Sequence, residues 1–495
     1  MQKMKFYNKN NYLLLFIIFI LKSQITLSQV ISGDSIYIKK AYSLFNDSSW
    51  QGSIVAFTAK DIINNKILLD VNGHYRLTPA SIVKLITTAA GLHILGSNFR
   101  FKTELGYTGI INDSILYGDI IIKGYGDPTL YSPFFKYYYQ KNDPFDSLVI
   151  KLNKLGVKQI TGRVIGDASF FQYNLPISTW VFGDIANYYG ATPCALSIYN
   201  NEYSLFFSTK DTSNQAKLLN IFPPSVKIEL YNKLITSKIT NDQSIIYSDI
   251  FDSTSIIVGM IPENKDSFEV RGSIRNPAQT AAIELKNRLL KANIIVCDTT
   301  FSYYEYNYLP DTSKKYIILH THNSPQLSEI VYQTNLYSIN LFAEHISRLC
   351  GWHRYKNTTP EMGNQAINRF WQKYTGDMLL YDGSGLSRFN AISTQQFVNV
   401  LEFMYNQSSY KKQFYQSLPV AGETGTLKKM FDKSIAKGKI VAKTGTMTQV
   451  RSLAGYIHPD KKTTIAFCII INNSPLPTNL IKQKIEQIIL QLFFK

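Results

Sequence analysis

The sequence predicts an α+β fold in which a helix-and-sheet domain is split by a large β-rich insertion. Strand patterns followed by an apolar helix occur near both ends of the chain, at residues 53–95 and 440–494. Strand-like alternation dominates the middle of the chain. Short motifs that could belong to a single active site stand before and after this middle part. The predicted parts are a targeting segment (1–28), the first part of the split domain (29–100), the insertion (101–314) and the second part (315–495).

The N-terminus is predicted to be a signal peptide. Three lysines precede the apolar run Tyr12–Leu21, which is too short for a comfortable membrane span, and cleavage is expected near Ser28. An uncleaved anchor is the alternative. No cysteine lies in this region, which excludes a lipoprotein anchor. No other apolar run has the length of a membrane span, so at most peripheral membrane contact is expected.

Ser81 opens the predicted helix in the first part of the split domain. Strand patterns at Ser53–Lys60 and Lys66–Val71 precede it, and Pro79 suits the first turn of a helix. Residues three apart share one helical face, so Lys84 is expected beside Ser81. Burial lowers the pKa of a lysine, and a neutral lysine can take the proton of a serine hydroxyl. The pair is a candidate nucleophile and base; the alternative is a serine near a helix start with a snorkelling lysine.

The Ser-x-x-Lys spacing is weak evidence by itself, because the chain contains three more matches. They are Ser408–Lys411, Ser409–Lys412 and Ser434–Lys437, which we interpret as solvated polar stretches. Ser81 differs from them because an apolar helix follows it and two partner motifs stand later in the chain.

The insertion is predicted to consist mainly of strands. Alternating patterns occupy residues 101–130, and strand patterns also dominate Gly162–Val181 and Ile221–Val270. A proline begins an amphipathic helix at Pro277–Lys291, and a short strand at Asn293–Val296 follows it.

Ser338 and Asn340 form a second candidate pair, placed between apolar helical segments. The serine can relay a proton. The asparagine can donate to a substrate carbonyl and hold a lysine. The alternative is a polar cap between two helices.

The third motif lies on Ile440–Thr446, which has the pattern of an edge strand. An extended peptide can add to such a strand. Lys443 and the hydroxyls of Thr444 and Thr446 suit a terminal carboxylate, and Gly445 would let a substrate backbone approach closely. The backbone N–H groups of Thr446 and of the candidate nucleophile would form an oxyanion hole. The alternative is an ordinary strand followed by a turn.

The C-terminal segment completes the predicted sheet. Strands at Ser452–Ile457 and Thr463–Ile471 are expected to form an antiparallel set with the motif strand. Residues 480–494 have helical spacing of apolar residues. We expect this helix to pack on the sheet, with a membrane-surface helix as the alternative.

Composition restricts the functional classes only in part. A net charge of +17 for 495 residues could favour anionic polymers or membrane surfaces, or reflect a Lys-, Asn- and Ile-rich composition. No basic cluster suggests nucleic acid. Cys194, Cys297, Cys350 and Cys468 show no metal-binding pattern, so neither a metal nor a cofactor is expected. The cysteines could pair in an exported chain, but Cys468 lies in an apolar strand and is expected to be a buried thiol.

With these motifs in this order, the chain resembles the class C low-molecular-mass penicillin-binding proteins, which are D-alanyl-D-alanine carboxypeptidases/endopeptidases. Further blocks that resemble the family are Tyr381–Arg388, Leu418–Gly422, Gly425–Leu427, Leu453–Tyr456, Gly126–Leu130 and Gly162–Phe171. The resemblance implies a β-lactamase/transpeptidase-like helix–sheet catalytic domain with two nested accessory domains in the insertion.

Two positions depart from the family pattern, and two others are candidate substrate contacts. Ile339 stands where many relatives carry aspartate, a variable position. Thr448 stands where some relatives have a glutamine that helps to read the substrate side chain. Arg388 is a candidate for contacting a distal carboxylate of the substrate, and Asp167 is a candidate for contacting an ammonium group. A structural ion pair is the alternative for both.

The resemblance implies an exported serine D-alanyl-D-alanine carboxypeptidase/endopeptidase of the periplasm or cell envelope. It would act on peptidoglycan stem peptides through an acyl-enzyme, and β-lactams would inhibit it. Ser81 would be the nucleophile, Lys84 the base, Ser338 a proton relay, Asn340 an orienting group and Lys443 a source of positive potential. A β-lactamase or esterase on the same scaffold and a non-catalytic wall-binding protein are the alternatives. The preferred stem-peptide side chain and the oligomeric state stay open.

Overall fold

The computed structural model describes residues 31–210, 214–249, 254–303 and 315–494, so the predicted signal peptide lies outside the described residues. In chain order the strands are β1 (Ile31–Gly33), β2 (Ile54–Asp61), β3 (Lys66–Val71), β4 (Lys102–Thr108), β5 (Ile110–Asn112), β6 (Ile115–Tyr117), β7 (Ile120–Gly124), β8 (Gln159–Ile160), β9 (Val164–Asp167), β10 (Glu202–Ser208), β11 (Lys217–Phe222), β12 (Glu229–Ser237), β13 (Gln243–Ser248), β14 (Thr254–Pro262), β15 (Phe268–Ser273), β16 (Ile295–Val296), β17 (Thr300–Tyr303), β18 (Tyr316–Asn323), β19 (Ile440–Met447), β20 (Val450–Ile457) and β21 (Ile465–Asn472).

Helices alternate with these strands mainly in the two parts of the split domain. In chain order they are α1 (Ser35–Phe45), α2 (Val83–Leu95), α3 (Lys136–Lys141), α4 (Pro144–Lys154), α5 (Phe182–Ile185), α6 (Pro277–Lys291), α7 (Leu327–Tyr337), α8 (Asn340–Tyr355), α9 (Pro360–Thr375), α10 (Thr394–Asn406), α11 (Lys411–Ser417) and α12 (Thr478–Phe493). Within the described parts of the chain, no helix is long and apolar enough to cross a membrane.

A six-stranded sheet joins the two ends of the chain in the order β1-β3-β2-β21-β20-β19. The neighbouring strands are antiparallel, which confirms the predicted C-terminal set and the edge position of the third motif. Strands β20 and β21 are buried along their whole length because helices cover both faces of the sheet. Helices α1 and α12 pack on one face, as predicted for the C-terminal helix, and Cys468 is buried on the other.

Helix α2 lies at the centre of the helical layer, which explains why a lysine on it is removed from water. Every residue from Val83 to Leu92 is buried, and the neighbouring helices are α7, α8, α9 and α10. Trp371 of α9, which is also fully buried, donates from Nε1 to the carbonyl oxygen of Ile86 at 3.1 Å. Burial on all sides is the reason that this helix lacks the polar stripe of a surface helix.

The insertion is built mainly from four small sheets. Their strand orders are β17-β9-β7-β4-β18, β16-β8-β6-β5, β11-β10-β15 and β12-β14-β13. Strand β18, which begins two residues after the predicted boundary at 314, pairs antiparallel with β4 and so belongs to an insertion sheet. The structure bears out the predicted helix Pro277–Lys291, which packs against β9. The predicted domain boundaries themselves stay predictions.

The predicted strand pattern at Gly162–Val181 is mostly wrong. Only Val164–Asp167 forms a strand there; the rest is an irregular segment that reaches the split domain. Its Trp180 donates from the indole Nε1 to Asp382 at 2.9 Å, and Phe171 is buried in the larger core. Tertiary packing of the aromatic residues, rather than ladder pairing, therefore determines the path of this segment. The four cysteines are free thiols.

Candidate active site

Ser81 lies in a single 3-10 turn, Ala80–Ile82, directly before α2. Ala80 has a φ of +51°, a left-handed conformation that is uncommon for alanine. Two glycines from distant segments close around this turn. A Cβ on Gly385 would lie 2.1 Å from the carbonyl oxygen of Ala80, and one on Gly445 would lie 2.8 Å from that of Pro79.

This packing revises the reason for Gly445. The sequence pattern predicts that a substrate backbone approaches this glycine, whereas in the structure the backbone around Ser81 does so. A Cβ at Gly445 would lie 3.1 Å from the amide nitrogen of Ser81 and 2.1 Å from Ser452 Oγ. A side chain at this position would therefore push the 3-10 turn of Ser81 away from β19. Its substrate contact stays a prediction.

Lys84 is the centre of the hydrogen-bond network. Its Nζ donates to Ser81 Oγ at 3.0 Å, to Asn340 Oδ1 at 2.5 Å and to the carbonyl oxygen of Ser384 at 2.6 Å. The side chain is fully buried. Burial lowers the pKa of Lys84 to about 7, although the charges of Asp382 and Glu344 oppose the shift. A substantial fraction of this amine is therefore neutral near physiological pH.

Asp382 organises the loop that presents the Ser384 carbonyl oxygen to the lysine. It accepts hydrogen bonds from the amides of Gly385 and Ser387 at 2.8 and 2.6 Å. Asn390 Nδ2 donates to it at 2.7 Å. The indole of the insertion residue Trp180 also donates to this carboxylate, so the insertion helps to hold the loop.

Glu344 is a member of the site that sequence reasoning missed. It lies on α8, one turn after Asn340, and accepts from the amides of Gly383 and Ser384 at 3.1 and 2.7 Å. Burial and then the charge of Asp382 raise the pKa of Glu344 to about 7. Its i+4 position relative to Asn340 is a signal that could have pointed to it.

Ser338 and Lys443 form a second pair next to the first. Ser338 ends α7 in the left-handed conformation, with a φ of +62°. Lys443 Nζ donates to Ser338 Oγ at 2.8 Å and to the carbonyl oxygen of Thr444 at 2.7 Å. Burial and then the charge of Lys84 hold the pKa of Lys443 well below its usual range. The structure thus brings Ser81, Lys84, Ser338, Asn340 and Lys443 together.

Strand β19 borders the site with an open edge. It pairs with β20 on one side, while a bridge from Val420 reaches only Val441, near its beginning. Among the described residues, no strand pairs with the outer edge at 443–447. Thr446 is exposed, and Thr444 Oγ1 donates to Thr426 Oγ1 at 2.8 Å. Thr426 is a second residue that sequence reasoning had not placed at the site.

Asn340 is held by the insertion as well as by Lys84. Its Nδ2 donates to the carbonyl oxygen of Tyr189 at 2.7 Å. Tyr189 belongs to the 3-10 turn Tyr188–Gly190, and Asn187, which precedes the turn, anchors it to β13. Asn187 accepts from the amide of Ile246 at 3.1 Å and donates to its carbonyl oxygen at 3.2 Å.

This anchor leads to a first prediction. Asn187→Ala should slow acylation by a fluorescent penicillin about tenfold, because the turn that orients Asn340 loses its side-chain hydrogen bonds. The control is Asn232→Ala on β12, which removes a similar bond from Asn232 Nδ2 to the carbonyl oxygen of Ala216. Equal acylation rates for both variants would show that the turn needs no such anchor.

The two candidate substrate contacts differ in their surroundings. Asp167 is buried on β9; Lys123 Nζ lies 3.4 Å away, and the amide of Ser169 donates to it at 2.8 Å. The ion pair named as the alternative is therefore present. Arg388 is exposed and lies near Asp184. Burial raises the pKa of Asp184, and the positive charge of Arg388 opposes this shift. The sequence patterns did not indicate Asp184 as a site residue.

Comparisons with known proteins find relatives that match most of the chain. A model of the D-Ala-D-Ala carboxypeptidase 3 (S13) family matches residues 39–492. The chain is 26% identical over 435 residues to the D-alanyl-D-alanine carboxypeptidase DacB of Haemophilus influenzae, covering 85% of this chain and 86% of that protein. It is 25% identical over 461 residues to a D-alanyl-D-alanine carboxypeptidase of Actinomadura sp. (strain R39), covering 89% of this chain and 82% of the relative.

Among solved structures, penicillin binding protein 4 (dacB) from Haemophilus influenzae matches with a TM-score of 0.74 at 24% identity. The match covers 90% of this chain and 99% of that chain. The likeness confirms the predicted α+β fold.

Proposed function

The chain belongs to the D-Ala-D-Ala carboxypeptidase 3 (S13) family, and we propose that its Ser81 cluster carries out the acyl transfer of this enzyme class. As a family member it is a penicillin-binding serine carboxypeptidase, a hydrolase of peptidoglycan peptides. One observation carries the assignment of the chemistry to this cluster. The fully buried amine of Lys84 lies 3.0 Å from the hydroxyl of Ser81.

In the proposed acylation, Ser81 Oγ attacks the carbonyl carbon of a D-Ala–D-Xaa peptide bond. The hydroxyl proton passes to the neutral amine of Lys84. The backbone N–H groups of Ser81 and Thr446 stabilise the oxyanion. When the tetrahedral intermediate collapses, the C–N bond breaks and an ester to Ser81 remains. Water then hydrolyses the ester, which returns a proton to Ser81 and releases the shortened peptide as an acid.

Ser338 is placed to protonate the leaving amine. It accepts a hydrogen bond from Lys443, so its own proton is free to point into the site. Ser338 donates that proton to the departing nitrogen. The proton that Lys84 took from Ser81 then replaces it on Ser338, which leaves Lys84 neutral and balances the acylation step. In its protonated form, which burial and the charge of Lys84 disfavour, Lys443 also attracts the terminal carboxylate of the substrate.

Substrate orientation follows from the edge strand. A stem peptide can pair with the open part of β19, where the hydroxyls of Thr444 and Thr446 flank the terminal carboxylate. Arg388 and Asp184 then offer one positive and one negative charge to the side chain of the substrate. A stem-peptide residue that carries both an ammonium and a carboxylate fits this pair.

We also infer export. The lysine-rich start and the apolar run Tyr12–Leu21 support a signal peptide, and the peptidoglycan substrate lies outside the cytoplasm. β-Lactams are the expected inhibitors because they mimic the acyl-D-Ala-D-Ala group and leave a stable ester on Ser81.

The test is a product analysis with purified protein. A pentapeptide ending in D-Ala-D-Ala, a cross-linked muropeptide dimer and penicillin are each incubated with it, and the products are identified by mass. We expect D-Ala release or dimer cleavage, together with slow turnover of penicillin. Rapid penicillin hydrolysis without D-Ala release would instead identify a β-lactamase. Wall binding without either reaction would identify a non-catalytic protein.

A further inference from the structure

The insertion contains a cavity of about 700 Å³ that is distinct from the Ser81 cluster. It lies between the α3 region, the start of β10 and the end of α6. We call it the insertion cavity. Residues that line it are Tyr131 and Tyr139 from the α3 region, Asn200 and Glu202 at the start of β10, Arg271 on the neighbouring strand β15 and Arg288 near the end of α6.

Aromatic rings form much of the wall. Tyr131 and Tyr199 lie with their ring centroids 5.8 Å apart, and Tyr199 and Phe222 lie 6.0 Å apart. Phe222 is 52% exposed, although it is a large apolar side chain. Such ring faces pack well against the C–H faces of a ligand that also carries polar groups at its edges.

Two ion pairs engage four of the charged groups of the insertion cavity. Arg271 Nη1 lies 3.0 Å from Glu202 Oε2, and Arg288 Nη1 lies 3.1 Å from Asp143 Oδ2. Burial raises the pKa of Glu202 to about 7, and Arg271 opposes this shift. A ligand with a strong net charge would have to compete with these pairs. A neutral ligand with hydroxyl groups can instead donate to the free lone pairs of the carboxylates.

A strained segment with an unpartnered polar atom completes the wall. Tyr199, Asn200 and Asn201 have φ values of +54°, +58° and +54°, which is rare for three consecutive residues other than glycine. Asn200 is 1% exposed, and its Oδ1 has no hydrogen-bond partner among the described residues. A buried amide oxygen without a partner is costly, and an N–H or O–H donor from a ligand would satisfy it.

From these groups we propose that the insertion cavity binds an N-acetylated amino sugar of the glycan strand to which the stem peptide is attached. The aromatic rings pack on the sugar ring, the carboxylates accept its hydroxyl groups, and Asn200 accepts from the acetamido N–H. This inference rests on the proposed function, because that function makes peptidoglycan the substrate.

The insertion cavity also adjoins the wall of the active site. The guanidinium carbon of Arg271 lies 3.9 Å from the ring centroid of Tyr188. The next residue, Tyr189, accepts the hydrogen bond that orients Asn340. A glycan strand held at this cavity would therefore be anchored to the element that borders the peptide site.

The test uses the full-length enzyme and a peptide-free probe, the N-acetylglucosamine tetramer, with titration calorimetry. We expect binding, and at least about fivefold weaker binding for Asn200→Gly and Phe222→Ala. Glycine tolerates the left-handed conformation, so Asn200→Gly removes the amide without disturbing the backbone. Tyr117→Ala removes another half-exposed aromatic side chain, on β6, and should bind like the wild type.

Two controls keep this inference separable from the proposed function. Cellotetraose, which lacks acetamido groups, should bind more weakly than the N-acetylated tetramer; equal binding would overturn the role of Asn200. Every variant should still be labelled by a fluorescent penicillin. A wild-type enzyme that is labelled but binds no tetramer at about 10 mM would overturn the glycan site and leave the proposed function intact.

Discussion

Ser81→Ala protein is expected to carry no covalent label after incubation with a fluorescent penicillin and to release no D-Ala. The substitution removes the oxygen that forms the ester in the proposed mechanism, while the contacts of Lys84 with Asn340 and Ser384 can persist. A label that depends on one bond is lost entirely rather than weakened. Gel fluorescence and mass spectrometry of the intact protein measure this outcome directly.

The chain supplies a matched control for this experiment. Ser409 also stands three residues before a lysine, Lys412, but it is exposed and outside the cluster. Ser409→Ala protein should be labelled like the wild type. Equal labelling of Ser81→Ala and Ser409→Ala would show that the nucleophile lies elsewhere.

Lys84→Ala is expected to slow acylation by about three orders of magnitude or more, because nucleophile and base act as a unit. Without the amine, the Ser81 hydroxyl has no neutral base within hydrogen-bond distance in the described network. Lys84→Arg separates charge from basicity, since an arginine stays protonated. We expect it to be equally slow. Stopped-flow acylation measures the rate, and thermal unfolding of each variant shows whether the fold is kept.

The pH dependence of the wild type tests the same role without a substitution. Since the pKa of Lys84 is lowered to about 7, its neutral fraction grows as the pH rises through 7. Acylation should therefore fall about tenfold per pH unit below 7 and level off above 8. A flat profile between about pH 5 and 9, or near-normal acylation of Lys84→Ala, would remove this lysine from the base role.

Local spacing was sufficient to predict the elements that carry the three motifs. A proline and an apolar run mark the helix of Lys84, and apolar alternation marks the strand of Lys443. Both signals are periodic patterns of apolar residues within one helix or one strand. A single continuous segment of the sequence is enough to recognise them. The pattern failed at Gly162–Val181, where the aromatic residues that resemble a strand instead reach across to the split domain, as Trp180 does.

The role of Gly445 shows a second reason why sequence patterns could not predict the whole site. The sequence shows a glycine at this position. It does not show that the backbone around Pro79, which is far away in sequence, packs against this glycine. The same holds for Glu344 and Tyr189, whose partners come from other segments. Their contacts depend on how the insertion and the two parts of the split domain meet.

The amino-acid sequence by itself predicted the α+β class of the fold, the order of the three motifs and Ser81 as the candidate nucleophile among four Ser-x-x-Lys matches. These predictions rest on short-range periodicity, on the succession of the motifs and on the family resemblance. Only the tertiary structure decided that Lys84 is fully desolvated and that an insertion residue, Tyr189, orients Asn340. It also revealed the cavity around Asn200. Desolvation, strain and convergence of side chains are properties of packing between distant segments, and no local spacing encodes them.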